Sequence, residues 1–396
     1  MAVGKLGTMD SDLEKAFPRC ATLKYDTHFQ SSKPLGRCES TAKWKFVGSA
    51  MYYKIMASLA GFILLLWQYG PPLRARPFFQ PRQVSGIANY ILEYGMNLSY
   101  GLVRRTRAIL PLRHFRASRK HTSGCQPHGR TKSPSPLTLD NLHELNIFNN
   151  GSGVYLTSDI DVTEEPNWLD GIVPDSVGKT VGAISAAIIV NDHGEGLVDA
   201  FYMYFYAYNM GNTVLFQELG DHIGDWEHNM VRFQDGKPTD IWYSQHGNGE
   251  AYNFDAVEKM GKRPVSYSAR GSHANYATKG THDHTIPDLN LPIGPLQDYC
   301  SQGMLWDPTL SSYFYKYNGT NNSFSDADGN SPVGAMLFRG KWGDQQYPMS
   351  DKRQKGFFGF KKFVSGPTGP WDKQLNRTKV CPDNGILCIV RGSVAP

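Results

Sequence analysis

The hydrophobic pattern of this 396-residue chain changes character twice. The first 50 residues are polar, with no clear periodicity. An uncharged apolar block follows, Ile55 to Trp67, which reaches 21 residues when extended back to Val47 and then includes Lys54. A bilayer-spanning helix needs about 20 apolar residues, and the apolar core of a signal peptide is shorter. The stretch 47–69 therefore reads as an uncleaved signal anchor after a polar tail over 1–46, with Lys54 snorkelling to the interface. A signal peptide counted from an internal start at Met51 or Met56, which would release a secreted body, is one alternative. A buried core helix is the other. Lys43, Lys45 and Lys54 precede the block while Arg74, Arg76 and Arg82 follow it, so flanking charge does not set an orientation.

From about residue 137 the pattern becomes that of strands. Between Val198 and Tyr208, Phe201, Met203, Phe205 and Ala207 alternate with Tyr202, Tyr204, Tyr206 and Tyr208. A period of two sends these sets to opposite faces, and both are bulky, so the run predicts a central strand covered on both sides. Val181 to Val190, whose small residues allow a strand or a buried helix, reads better as a strand, and Trp226 to Phe233 and Thr239 to Gln245 form two more. Asp235-Gly236 between the last two marks a two-residue hairpin turn with positive φ at both positions. Without a bulge, this hairpin sets Glu227 opposite Ser244 and Asp225 opposite His246, bringing Asp225, Glu227 and His246 onto one face. A one-residue bulge would break that register. The expected fold is mainly β: an antiparallel β-sandwich with peripheral short helices and long loops over 137–396. A hydrophobic helix and a basic Ser/Pro-containing linker over 70–136 would precede it.

Composition agrees: 40 Gly, 24 Pro and 21 Tyr suit turns and aromatic strands, not a helical bundle. The net charge of +5 hides two unlike parts. Residues 1–136 hold 21 Lys/Arg against 6 Asp/Glu, and residues 137–396 hold 20 against 30. A folded nucleic-acid binder needs a basic binding face, so a basic arm on an acidic body argues against a nucleic-acid partner. Sequons begin at Asn97, Asn150, Asn318, Asn321 and Asn376, and the last four are the glycosylation candidates. Cys381 and Cys388 bracket a turn-like Pro-Asp-Asn-Gly-Ile-Leu, which suggests a small disulfide loop in an oxidising compartment, with Cys300 either free or competing for one of the pair.

The candidate chemistry lies in the acidic body. Seven of the 12 histidines fall between His193 and His284, interleaved with Asp221, Asp225, Glu227 and Glu250. Carboxylates with one or two imidazoles suit a divalent cation such as Ca²⁺, Mg²⁺ or Mn²⁺. The expected ligands are Asp225, Glu227 and His246, completed by Asp221, His222 or His273. Arg270 with Tyr202, Tyr204 and Tyr243 would contact a glycan or lipid headgroup. His282 and His284 read as loop residues. Gly178-Lys179-Thr180 resembles the end of a phosphate loop, but Val173 stands where its first Gly is needed.

The ordered motifs GDHIGDWEHNMVRF, WYSQHGNGEAY, YSARGSHANYAT, DYCSQGMLWDP and RGKWGDQQYP resemble the vacuolar protein sorting-associated protein 62 family of fungi, over roughly residues 140–392. This resemblance implies vacuolar protein sorting or a related endomembrane role, with vacuolar cargo or sorting proteins as partners. Asp225-Trp226-Glu227 also resembles the end of the Gly-His-Arg-His-Asp-Trp-Glu heptapeptide of necrosis- and ethylene-inducing proteins. His222 falls at its first His, and Gly224 replaces the second. That likeness implies a cation-binding sandwich that engages a lipid-glycan headgroup. Two rivals stand beside the binding reading. One is a metal-dependent hydrolase using the same carboxylates, and the other is a metal-free cargo adaptor. The expected location is the vacuole or endomembrane system, anchored through 47–69.

Overall fold

The computed structural model describes residues 86–100, 115–119, 134–214, 216–284, 294, 296–357 and 359–394. The tail over 1–46 and the anchor over 47–69 lie outside the described residues. Among the described residues no helix is long and apolar enough to cross a membrane.

The chain is mainly β, with a few short helices, and no sheet among the described residues closes into a barrel. Among these residues the larger sheet has eight strands. Its order is Ser323–Asp326, Ser312–Asn318, Ala186–Gly194, Leu197–Asn209, His222–Gln234, Lys237–Gln245, Asn248–Asn253 and Val390–Arg391. It is mixed rather than purely antiparallel. Ser312–Asn318 runs parallel to Ala186–Gly194, and Val390–Arg391 runs parallel to Asn248–Asn253. Both parallel strands return through long connections, as parallel pairing requires. A smaller sheet joins Lys259–Met260, Arg263–Ser268, Asn97–Tyr100, Met304–Trp306 and Asn275–Tyr276.

Leu197–Asn209, the tyrosine strand, is central as its alternation requires, and it pairs with His222–Gln234, the acidic strand. One face carries Tyr202, Tyr204 and Tyr206 into a core shared with Leu98, Ile91 and Trp306. The other carries Phe201, Met203 and Phe205 into a core closed by Leu142, Leu156, Phe338 and Trp342. Burial of both faces at about 25 cal/mol per Å² of apolar surface makes this strand the axis of the fold. Asp199 is fully buried within it and accepts two hydrogen bonds from Arg232, both of 2.7 Å, with His193 at 2.9 Å.

Two expectations need correction. Residues 86–100, assigned by pattern to the linker, pack into the body. Ile91, Met96 and Leu98 are buried, and Asn97–Tyr100 pairs with two strands of the smaller sheet. The apolar run from Val181 also starts its strand late, at Ala186, and leaves Val181 and Ile184 exposed.

Candidate functional site

The hairpin turn has φ of 52° at Asp235 and 75° at Gly236, as the two-residue turn demands. Gln234 pairs with Lys237 and Phe233 with Pro238. A bulge then intervenes, and Asn229 pairs with Tyr243, where an unbulged hairpin would pair it with Trp242. This one-residue shift removes the expected opposition of Asp225 and His246. The Lys237–Gln245 strand ends before His246, which sits in the turn to Asn248–Asn253 with φ of 51°.

The expected ligand set thus divides in two. Asp225 and Glu227 share the tyrosine face of the acidic strand, paired with Tyr206 and Tyr204. Asp225 accepts a hydrogen bond of 3.0 Å from His273 Nδ1, and the His273 ring stacks on Tyr206 at 3.8 Å. Burial opposes the charge of Asp225, but the His273 hydrogen bond and the nearby His222 outweigh it and hold the carboxyl below its usual range. Burial, and then the charge of Asp225, push Glu227 well above the carboxylate range. Ser244 hydrogen-bonds Glu227, but Glu227 Oε2 and His273 Nε2 are buried with no hydrogen-bond partner among the described residues. His222 donates through Nδ1 to the Gly224 carbonyl at 2.7 Å, and burial lowers its pKa.

His246 belongs to the second group. Its Nε2 donates to Asp298 at 2.7 Å, and its ring stacks on His284 at 3.9 Å. Buried Asp298 also accepts from Ser272 at 2.6 Å and from Tyr276 at 2.7 Å. Burial raises the Asp298 pKa, but the His246 hydrogen bond and charge, then the His284 charge and the Ser272 hydrogen bond, bring it down to about 2. His246 moves the other way: the Asp298 hydrogen bond outweighs burial and raises it. His246, His284 and Asp298 offer ligand atoms that all lie within 4.8 Å of one another, and His246 is open to solvent. Among the described residues this is the trio whose atoms converge closely enough for a metal ion. The two groups sense each other, since the charge of Asp225 acts on His246 and that of Asp298 on Glu227.

The other assigned residues fall elsewhere. Buried Asp221 accepts from Gly211 N–H and from Lys362 Nζ, both at 2.8 Å, so its charge is spent on an ion pair. Tyr202, Tyr204 and Tyr243 are fully buried. Their hydroxyls donate to Ile91 O, Asn229 Oδ1 and Val265 O, which removes them from any open ligand surface. Arg270 is exposed on the turn before Ser272 and His273. His282 lies in the strand Gly280–Asp283 and stacks on Tyr276 at 3.9 Å, so it is not a loop residue. Cys381 and Cys388 are disulfide-bonded, and Cys300 is free and buried. Asn150, Asn318, Asn321 and Asn376 are exposed, whereas Asn97 is buried. Pattern reading missed Asp298, and it left His284, which does lie in a loop after Gly280–Asp283, out of the ligand set. The available signal was the alternation of Asp298 and Cys300 in Gln297–Cys300, which buries both, but four residues are too few to read.

Fold and site define a mainly β protein with a carboxylate–histidine site where the central strands meet the smaller sheet. Residues 206–301 match the family model of vacuolar protein sorting-associated protein 62, a span that contains Asp225, Glu227, His246, His273, His284 and Asp298. The chain is 38% identical over 275 residues to a putative vacuolar protein sorting-associated protein, TDA6, of Saccharomyces cerevisiae, covering 62% of this chain and 58% of that one. It is 37% identical over 253 residues to vacuolar protein sorting-associated protein 62 of the same yeast, covering 58% and 52%. The resemblance carried by the ordered motifs holds, and the chain spans somewhat over half the length of these relatives. The crystal structure of the non-toxic HaNLP3 protein matches 42% of this chain and 71% of that one at 12% identity, with a TM-score of 0.20. At that score the likeness carries no argument.

Proposed function

We propose that this protein acts in vacuolar protein sorting or a related endomembrane process, as a binding protein with a divalent cation at its polar site. The similarity to two vacuolar sorting proteins supports the process. The convergence of His246, His284 and Asp298 within 4.8 Å supports the cation. Two imidazoles and one carboxylate favour Mn²⁺ over Mg²⁺ or Ca²⁺. Binding would exchange the His246–Asp298 hydrogen bond, and the amide that Asn212 gives to His284 Nε2, for metal bonds. Ser272 and Tyr276 would go on orienting the carboxylate. The exposed side of His246 and nearby Arg270 would meet a glycan or lipid headgroup, and the segment 47–69 would tether the chain to the membrane.

The test is Mn²⁺ titration by calorimetry, with a glycan and lipid-headgroup panel run with and without the metal. Wild type should bind one ion, and Asp298→Asn or His284→Ala should lower affinity at least about tenfold, as loss of a ligand does. Equal Mn²⁺ binding by folded Asp298→Asn and His284→Ala would sink the cation site. Headgroup binding that ignores the metal would separate ligand recognition from it.

A further inference from the structure

Asp225-Trp226-Glu227 splits across the large sheet. Its carboxylates take the tyrosine face, and Trp226 takes the other, paired across strands with Phe205. There the Phe205 and Trp226 rings lie 5.0 Å apart, and Trp342 packs edge-on to both, at 5.5 and 5.3 Å. Trp342 reaches this place because Gly224, at φ +67°, leaves room for its carbonyl, where a Cβ would overlap the oxygen. These three rings, with Tyr313, Tyr315 and Met336, line a cavity of about 710 Å³. That volume falls in the range of about 300–1,000 Å³ typical of small-ligand pockets. Exposed Ile184 lies at its edge, in the segment that precedes the strand Ala186–Gly194.

Two features narrow the occupant. The described lining contains no Lys, Arg or His, and its charged member, Asp140, is exposed. A charged ligand would therefore enter without a counter-charge, at a desolvation cost of several kcal/mol. The floor is aromatic and aliphatic, built from Phe205, Trp226, Trp342 and Met336, which suits a hydrocarbon body.

We infer that this cavity binds a neutral, largely apolar small molecule, with its hydrocarbon body against Phe205, Trp226 and Trp342. The inference is independent of the cation site, because it rests on residues of the opposite face. Two neutral probes test it on the full chain. Nile red and pyrene are both uncharged and largely apolar. Wild type should bind each saturably with one-to-one stoichiometry. Ala187→Leu and Ala335→Leu narrow the cavity from two walls, and each should weaken both probes by roughly tenfold. Pyrene-1-sulfonate, which adds a negative charge to the pyrene frame, should bind at least about tenfold more weakly than pyrene. Thermal melts establish that each variant is folded. Non-saturable probe binding by wild type, or undiminished binding by folded cavity-filling variants, would overturn the cavity assignment. Binding of pyrene-1-sulfonate as tight as that of pyrene would overturn the requirement for a neutral ligand.

Discussion

Burial, and then the charge of Asp225, raise the pKa of Glu227 in the folded chain. Its folded pKa lies above the unfolded value of about 4.3. Its contribution to stability is therefore fully present below pH 4.3 or so, and is lost as pH rises toward the folded pKa. Glu227→Gln imitates the protonated form at every pH. Its melting temperature should exceed that of wild type at pH 8, with the gain shrinking toward pH 4. A constant difference across pH 4, 6 and 8 would show that Glu227 does not titrate in this way. Gly224 sets a second single-residue test. Gly224→Ala would place a Cβ against the Trp342 carbonyl at a positive φ, and should destabilise by more than about 2 kcal/mol in urea unfolding. At this scale the sequence was partly legible. Asp225, Glu227 and His273 do cluster, because alternation alone puts the two carboxylates on one face. Asp298 was not legible, because its partners Ser272, Tyr276 and His246 converge only through the folded turns.

Among the strands, the hairpin shows where pattern stops being sufficient. The Asp-Gly dipeptide determines the turn type, and the first two pairs follow from it. The bulge beyond Arg232 has no comparable signature, because either register keeps large residues on both faces. The Asn97–Tyr100 strand was hidden for another reason: four residues have too little alternation to stand out. The Asp199–Arg232 pair gives a prediction at this scale. It locks the tyrosine strand to the acidic strand, and Arg232 also donates to the carbonyls of Arg377 and Thr378. Asp199→Ala would leave a mostly buried guanidinium without its carboxylate, at a cost of about 3–5 kcal/mol in denaturant unfolding. Adding Arg232→Met should recover part of that loss. A double variant no more stable than the single would mean that the ion pair is not the source.

For the whole molecule, the lumenal placement expected from the sequence is open to direct test. The Cys381–Cys388 disulfide is of the kind that persists in an oxidising compartment. The sequons make this testable, because the fold sorts them. Asn150, Asn318, Asn321 and Asn376 are exposed, whereas Asn97 is buried in a strand paired on both sides. A glycan at Asn97 would have to leave the core, so that sequon should stay empty once the body has folded. In a secretory host, enzymatic removal of N-glycans should increase the gel mobility of wild type. Replacing Asn150, Asn318, Asn321 and Asn376 with Gln one after another should abolish that shift in steps. Asn97→Gln should leave it unchanged, while removing a buried side chain's packing and lowering stability by about 1 kcal/mol. Absence of any shift in wild type would remove the lumenal placement of the body. A shift that survives loss of all four exposed asparagines would instead contradict the burial of Asn97.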